Sequence, residues 1–305
     1  MFAALFPGQG SQKVGMGRAF AEASATARAV FDRAEAALPG LLETIWEGPE
    51  EALRLTENQQ PALLAVSAAA WAAWREAGGP DPAYAAGHSL GEWSAHVAAG
   101  TLELEDALRL VRSRGRYMQE AVPEGEGAMA AILKLDEAVV REVVERTEGV
   151  WIANLNSPGQ VVISGRKEAV EAAAAALKER RGRVVPLKVS APFHSELMAP
   201  AREALARDLA QVELRPPRFP VFSNVTARPE TDPASIRELL LAQITAPVRW
   251  VEILEAMHER GVTTFVELGS GNVLTGLVRR TLPEARALNA EEPEGLAAAL
   301  QEVVS

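Results

Sequence analysis

The chain has 305 residues, enough for two units at roughly 150 residues per domain and for a full hydrophobic core. Acidic residues outnumber basic ones by 41 to 31, and the resulting net charge of −10 argues against a general nucleic-acid binder. Cysteine is absent, which excludes disulfides, thiolate metal sites and a cysteine nucleophile. Any covalent chemistry must therefore use another residue.

Neither a membrane span nor a secretion signal is predicted. The longest apolar segment, residues 61–74, contains Ser67 and is followed by Arg75 and Glu76, so we expect a buried helix. The first six residues are apolar, but no basic region precedes them and they lead into Pro-Gly-Gln-Gly, not into a small-residue cleavage site. We therefore expect a cytoplasmic location.

Short segments rich in β-forming residues alternate with amphipathic helical patterns along most of the chain. This alternation is typical of an α/β fold with a parallel sheet. The predicted strands of that sheet are residues 2–6, 83–86, 221–223 and 263–268.

Between residues 126 and 190 the pattern changes to the order β-α-β-β-α-β, which is the ferredoxin-like arrangement. The predicted elements are strands at 128–135, 150–154, 160–164 and 183–189, a helix from Asp136 to about residue 146, and a helix at 167–181. We therefore predict a hydrolase-like α/β domain (residues 1–125 and 191–305) with a smaller ferredoxin-like domain inserted at 126–190. A cleft between the two is the expected place for a site.

A Gly-x-Ser-x-Gly pattern, Gly87-His88-Ser89-Leu90-Gly91, lies between a predicted strand and a predicted helix. In that setting the pattern predicts a nucleophile elbow, a tight turn that lifts the Ser89 hydroxyl above the sheet edge. The start of the following helix would also favour developing negative charge. The alternative is a serine that only caps the helix.

A serine nucleophile needs a base, and the chain offers four histidines. His88 adjoins the serine in a sharp turn, so its ring is expected to point elsewhere, and His96 lies about 10 Å further along the same helix. His258 belongs to a polar helix end and is expected to be solvated. His194 follows the last strand of the inserted unit, on the return to the main domain, and could reach the cleft. A structural loop histidine is the alternative there.

Arg114 stands on the apolar face of a helix predicted from residue 105 to about residue 118. A buried guanidinium needs an anionic partner. That partner could be an internal carboxylate or the carboxylate of a substrate held in a bidentate grip. A helix break at Gly115 would instead remove the periodicity.

Two glycine-containing loops follow predicted strands. The first, residues 6–12, could bring backbone N–H groups close to a ligand, or it could be an ordinary turn. The second, residues 265–272, has the strand–loop–helix order of nucleotide or S-adenosylmethionine sites. Too few residues follow it for a doubly wound nucleotide domain, so we interpret it as another turn at the sheet edge near the same cleft.

Nearly end to end, the sequence resembles the malonyl-CoA:acyl carrier protein transacylase family. The segments that carry the resemblance are Phe6-Pro7-Gly8-Gln9-Gly10-Ser11-Gln12, Gly87-His88-Ser89-Leu90-Gly91-Glu92, Arg114-Gly115 with Met118-Gln119, Asn156-Ser157-Pro158-Gly159-Gln160, Ala191-Pro192-Phe193-His194 and Gly271-Asn272-Val273-Leu274-Thr275-Gly276-Leu277. All six occurring in this order by chance is hardly conceivable.

The resemblance implies a role for each matching position. It implies Ser89 as acyl-carrying nucleophile, His194 as its base, the N–H groups of Gln9 and Leu90 as the oxyanion hole, Arg114 as ligand of the malonyl carboxylate, the backbone carbonyl of Gln243 as the group that orients the histidine, and Asn156 as a residue near the site.

Phe193 departs from the commonest bacterial pattern, in which a small serine precedes the histidine. The Phe-His pair resembles the malonyl-selective acyltransferase domains of polyketide synthases. A ring at this position would exclude a branch methyl, although one apolar contact is worth only about 1–3 kcal/mol of discrimination.

The implied activity is ping-pong transfer of malonyl from malonyl-CoA to the phosphopantetheine thiol of acyl carrier protein, in fatty acid biosynthesis. The CoA thioester is a substrate, and no metal or bound cofactor is expected. Carrier proteins of this pathway are typically acidic, so we expect a basic docking face, for which the candidates are Lys178, Arg180, Arg181 and Arg183. A solvated helix end is the alternative.

The sequence is also compatible with other functions. A serine hydrolase such as a thioesterase or lipase could use the same elbow, but it would have no use for a buried guanidinium. An acyltransferase of a polyketide pathway and a non-catalytic scaffold that binds carrier proteins are the further alternatives.

Overall fold

Two β-sheets organise the chain in the computed structural model, which describes residues 1–189 and 191–305. The strands are β1 (Phe2–Phe6), β2 (Tyr84–Gly87), β3 (Gly127–Leu133), β4 (Val150–Ser157), β5 (Gln160–Arg166), β6 (Arg183–Pro186), β7 (Val221–Phe222), β8 (Pro229–Glu230), β9 (Thr264–Leu268) and β10 (Arg286–Ala290). The helices are α1 (Arg18–Ala23), α2 (Ala25–Ala37), α3 (Leu41–Trp46), α4 (Glu50–Arg54), α5 (Thr56–Glu76), α6 (Leu90–Ala98), α7 (Leu104–Glu120), α8 (Glu137–Glu145), α9 (Lys167–Glu179), α10 (Ala199–Leu209), α11 (Pro233–Ala242), α12 (Trp250–Glu259), α13 (Val273–Thr281) and α14 (Pro293–Val304). Short 3-10 helices occupy Glu196–Met198 and Gln243–Thr245.

The larger sheet has six strands in the order β10-β9-β1-β2-β7-β8, and all its pairs are parallel except β7 with β8. Strand β1 lies near its centre, and all five of its apolar residues are buried, as expected for a strand covered on both faces. The four strands predicted for this sheet are present within a residue of their predicted ends. Strands β8 and β10 were not predicted, because β8 has two residues and most of β10 is only partly buried.

The smaller sheet is antiparallel, with the order β4-β5-β3-β6, and helices α8 and α9 complete it. The predicted order β-α-β-β-α-β is therefore confirmed, and with it the fold class: an α/β parallel-sheet unit with a smaller ferredoxin-like insertion. Two strand ends differ from the prediction, because β4 continues to Ser157 and β6 already ends at Pro186.

The domain boundaries themselves stay a prediction. The predicted insertion ends at Ser190, which lies outside the described residues.

A short backbone contact joins the smaller sheet to the larger unit. Val248, shortly after the second 3-10 helix, forms a parallel bridge with strand β4: its N–H donates to the Ala153 carbonyl (2.8 Å) and its carbonyl accepts from the Leu155 N–H (2.9 Å). The smaller sheet is therefore hydrogen-bonded directly to the larger unit. Throughout the described residues, no helix is long and apolar enough to span a membrane.

Candidate active site

Ser89 occupies the turn between β2 and α6 and has φ 53° and ψ −108°, a conformation that L-residues rarely adopt. The flanking glycines permit it. A Cβ on Gly87 would lie 1.9 Å from the carbonyl carbon of Gly91, and a Cβ on Gly91 would lie 2.0 Å from the Phe6 carbonyl oxygen. The predicted strand–turn–helix elbow is thus present, and the Ser89 hydroxyl makes no capping hydrogen bond to the helix.

The side chain of Asn224, just after β7, holds this turn in place. Its Oδ1 accepts the Ser89 N–H at 2.8 Å, and its Nδ2 donates to the Gly87 carbonyl at 2.7 Å. Both bonds are made to the backbone on either side of His88. They stabilise the unfavourable serine conformation from outside the turn.

His194 lies directly opposite this serine. The Ser89 Oγ is 2.8 Å from His194 Nε2, and His194 Nδ1 is 3.0 Å from the backbone carbonyl of Gln243. Because a carbonyl only accepts, Nδ1 carries the ring proton and Nε2 is free to accept from the serine hydroxyl.

The imidazole of His194 is neutral at pH 7. Burial, and after it the positive charge of Arg114, lowers its pKa to about 3, against the opposing hydrogen bond to Gln243. The residue itself has φ 56°, so both members of the Ser89–His194 pair have a positive φ.

The other three histidines are engaged elsewhere. His88 Nε2 lies 2.7 Å from the Asn156 Oδ1, His96 is buried beside the Thr101 hydroxyl, and His258 is exposed as expected. Of the four rings, His194 is the one that reaches the elbow serine.

Arg114 is 1% exposed, in the middle of helix α7, which runs without interruption past Gly115. Its guanidinium donates to the Gln60 Oε1 (2.7 Å), the Gln243 Oε1 (2.9 Å) and the Ser89 Oγ (3.1 Å). No ion pair joins it to a carboxylate of the described residues, so the internal salt bridge considered above is not formed. Burial lowers the Arg114 pKa to about 10, which leaves the group charged at pH 7.

A buried carboxyl, that of Glu92, lies beneath the elbow on helix α6. Its Oε2 accepts from the Gln243 Nε2 (2.6 Å) and from the Asn224 N–H (3.2 Å). Burial raises the Glu92 pKa to about 8, against these hydrogen bonds and the charge of Arg114. The carboxyl is therefore mainly protonated at pH 7.

These groups border a cavity of about 490 Å³ between the two sheets. Its walls include Met129, Ala131 and Val162 of the smaller sheet. The residues predicted from the sequence that line it are Gln9, Ser89, Leu90, Arg114, Asn156, Phe193 and His194. Gln243 is fully buried behind them. The position of this cavity agrees with the expectation of a site in the cleft between the two units.

The first glycine loop lies against the elbow. A Cβ on Gly8 would be only 2.2 Å from the His88 carbonyl oxygen, so this close approach requires glycine and brings the neighbouring Gln9 beside the serine. The second glycine loop packs on the first, since the Ser270 hydroxyl donates to the Ser11 carbonyl at 2.7 Å. It is a turn at the sheet edge, as interpreted above.

Three residues of this network were not identified from the sequence: Gln60, Glu92 and Asn224. Glu92 does carry a signal, because it is an acidic residue in the otherwise apolar start of helix α6. Asn224 carries none, since it lies 135 positions from Ser89 and follows a strand of two residues.

A serine on a strand–turn–helix elbow, hydrogen-bonded to a neutral histidine in a cleft between two sheets, is typical of α/β enzymes that carry acyl groups on serine. The chain belongs to the acyl transferase domain family, whose model matches residues 4–299. It is accordingly an acyltransferase.

Individual relatives match over nearly the whole length. The malonyl CoA-acyl carrier protein transacylase of Bacillus subtilis (strain 168) is 47% identical over 303 residues, which cover 97% of this chain and 95% of the relative. The acyl-carrier-protein-S-malonyltransferase structure from Bartonella henselae has a TM-score of 0.97 and 45% identity, covering 100% of this chain and 99% of the other. A structure of a type II PKS acyl-carrier protein in complex with its malonyl-transacylase has a TM-score of 0.95 and 45% identity, with 99% of both chains covered. These findings confirm the family resemblance seen in the sequence.

Proposed function

We propose that this protein transfers the malonyl group of malonyl-CoA to the phosphopantetheine thiol of acyl carrier protein, through a malonyl ester on Ser89, in fatty acid biosynthesis. The observation that carries the proposal is the convergence at one hydroxyl. The Ser89 Oγ lies 2.8 Å from the His194 Nε2 and 3.1 Å from the Arg114 guanidinium, so a nucleophile, a base and a cation meet in one cavity. The names of the relatives support the choice of malonyl donor and carrier protein.

In the first half-reaction, His194 Nε2 takes the proton of the Ser89 hydroxyl as Oγ attacks the thioester carbonyl. The N–H groups of Leu90 and Gln9 stabilise the oxyanion, aided by the positive end of helix α6. When the tetrahedral intermediate collapses, the carbon–sulfur bond breaks, and the coenzyme A sulfur leaves with the proton from His194. The Gln243 carbonyl keeps the ring oriented and stabilises its transient positive charge.

The second half-reaction runs the same steps in reverse with a new thiol. His194 takes the proton of the phosphopantetheine thiol, whose sulfur attacks the malonyl ester. The ester bond to Ser89 breaks, and Oγ recovers a proton from His194. The acyl group thus leaves on the carrier protein.

Arg114 selects the acyl group in this proposal. Its charge binds the malonyl carboxylate, so part of the binding energy is available only to acyl groups that carry an acid. The Phe193 ring, 4% exposed at the cavity wall, excludes a branch methyl next to the thioester. Asn156 lines the same cavity, and its Oδ1 accepts a hydrogen bond from His88 Nε2 at 2.7 Å.

The proposed reaction uses no metal and no bound cofactor, since a thioester is already activated and a neutral imidazole supplies the base. Its partners are malonyl-CoA and acyl carrier protein, with no role for nucleic acid or a membrane. We place the reaction in the cytoplasm, because coenzyme A thioesters are made and used inside the cell.

A second candidate is the same transfer in a polyketide pathway. Two observations favour it: the Phe193-His194 pair, and the similarity to a malonyl-transacylase solved with a type II PKS acyl-carrier protein. A hydrolase is disfavoured, because a charged guanidinium 3.1 Å from the nucleophile has no function toward neutral acyl chains.

Mass spectrometry after incubation with malonyl-CoA tests the proposal. We expect an adduct on Ser89 that moves to added carrier protein bearing phosphopantetheine. Ser89→Ala should abolish the adduct, and His194→Ala should slow its formation by at least ~100-fold. Ser94→Ala is the matched control, because this buried serine lies on the same helix outside the cavity lining and should leave the adduct intact. Release of the adduct only to water would instead identify a hydrolase.

A further inference from the structure

Every acceptor that the structure gives to the guanidinium of Arg114 is a neutral oxygen. Two are side-chain amide carbonyls, those of Gln60 at 2.7 Å and Gln243 at 2.9 Å, and the third is the Ser89 hydroxyl at 3.1 Å. The residue is 1% exposed, so water does not replace these contacts. This is unusual, because buried cations in proteins normally pair with a carboxylate.

The amide of Gln60 is held in the orientation that presents its oxygen to Arg114. Gln60 lies in helix α5, is 2% exposed, and has its Nε2 3.9 Å from the Met118 Sδ. An amide and a carboxylate have nearly the same size and shape. A glutamate would therefore fit this place as well as glutamine does, and the difference between the two is the charge.

The second amide, that of Gln243, is oriented in the same sense. Its Nε2 donates to the Ser89 carbonyl and to Glu92, which leaves only Oε1 for Arg114. Burial raises the pKa of Glu92 to about 8, so the nearby carboxyl is also mainly neutral at pH 7. All three hydrogen-bond acceptors of Arg114 are therefore neutral dipoles, and no carboxylate of the described residues pairs with it.

We propose that Gln60 is a specificity-determining positioning residue, whose neutral oxygen fixes the Arg114 guanidinium without neutralising it and so keeps the positive charge available for the carboxylate of the incoming acyl group. This inference rests on the proposed function and deepens it. Holding the cation with a carboxylate would fix its geometry equally well, but the substrate would then have to compete with an internal anion.

The test compares two substitutions of Gln60. Gln60→Glu adds a negative charge in the same volume, whereas Gln60→Met keeps the volume and removes the hydrogen bond without adding charge. For each variant, the rate of Ser89 acylation is measured separately with malonyl-CoA and with acetyl-CoA. The ratio of the two rates reports the use of the carboxylate, since the acyl chemistry is common to both donors.

We expect Gln60→Glu to lower the malonyl-to-acetyl ratio by at least ~30-fold, because Arg114 becomes paired within the protein. Gln60→Met should keep the ratio within about fivefold of the unsubstituted protein, the effect of one neutral hydrogen bond. Thermal unfolding of both variants checks that they are folded, and the acetyl rate checks that the Ser89–His194 pair still works.

Four results separate the possibilities. An unchanged ratio in Gln60→Glu overturns the inference, and so does a ratio in Gln60→Met that falls as far as in Gln60→Glu, because that pattern indicates a merely structural glutamine. If Gln60→Glu does not fold, the ratio in Gln60→Met decides: a modest loss within about fivefold supports the inference, and an unchanged ratio or a loss of ~30-fold overturns it. Failure of the unsubstituted protein to form a malonyl adduct on Ser89 overturns the proposed function instead, so the two failures are distinguishable.

Discussion

At the scale of single residues, the site orients its functional groups with neutral acceptors. The ring of His194 is fixed by the main-chain carbonyl of Gln243, which sets the tautomer as a carboxylate would but adds no negative charge. Without such a charge, burial and the nearby Arg114 dominate, and they lower the pKa of the ring to about 3. The histidine that we propose as the base is therefore already unprotonated across the physiological range.

This depressed pKa predicts a flat pH profile for the acylation of Ser89. A histidine with a lowered pKa is in its neutral, proton-accepting form above about pH 3, whereas an ordinary imidazole loses that form as the pH falls through about 6.5. The rate of malonyl loading measured between pH 5 and pH 7 should therefore change little. Circular dichroism over the same range serves as the control for unfolding, and a midpoint near pH 6.5 in a folded sample would contradict the prediction.

At the scale of elements, the crossing of helices α5 and α7 sets the relative position of Gln60 and Arg114. The two helices approach so closely at Gly115 that a Cβ there would lie 2.4 Å from the carbonyl oxygen of Thr56. A bulkier residue must push the helices apart, since backbone atoms on both sides leave no side chain to move aside. The residue next to Gly115 is Arg114 itself, so this separation would also disturb the site.

Gly115→Ala is therefore expected to destabilise the protein by about 1–3 kcal/mol, through overpacking at the helix crossing. Gly276→Ala is the matched control: it also lies within a helix, α13, but a Cβ there meets nothing within 4 Å. That substitution should instead stabilise by roughly 0.5–1 kcal/mol, because alanine is the better helix former. Urea unfolding of both variants measures the two effects, and equal effects would show that the crossing is not the cause.

At the scale of the whole molecule, the net charge of −10 requires a local basic surface if an acidic carrier protein is to dock. Of the four basic residues suggested by the sequence, Arg180 is already paired with Glu142 at 2.9 Å. The other three, Lys178, Arg181 and Arg183, are exposed, and no ion pair links them to the described part of the chain. The candidate docking face is thus reduced to these three.

Reversing two of these charges, with Arg181→Glu and Arg183→Glu together, should weaken transfer to carrier protein and spare malonyl loading from coenzyme A. The control is Arg260→Glu with Arg286→Glu, exposed positions that precede β9 and begin β10 at the sheet edge opposite the elbow, although Arg286 is paired with Glu302 at 2.8 Å. Both half-reactions should be unaffected there. Measured rates of the two half-reactions decide the matter, and equal losses in both would count against this docking face.

The parts of the site that could be predicted are those whose role follows from local sequence. The elbow around Ser89 is visible in the spacing of its glycines, and the burial of Arg114 in the periodicity of its helix. Gln60 and Asn224 could not be found this way, because their partners are brought to them only by the tertiary fold. The same limit explains why β6 was predicted to continue to residue 189, although it ends at Pro186. The apolar residues Leu187 and Val189, which suggested a strand, line the cavity instead.

The backbone bridge between Val248 and strand β4 has a consequence for how the acyl group enters and leaves. Swinging the smaller sheet away from the larger one would break both hydrogen bonds of Val248 only a few positions from the Gln243 carbonyl that aligns the base. We therefore expect the walls of the cavity to keep their spacing when an acyl donor binds. Discrimination between acyl groups is then expected to occur as the thioester enters the cavity and binds there. It would not depend on closure of the protein around the substrate.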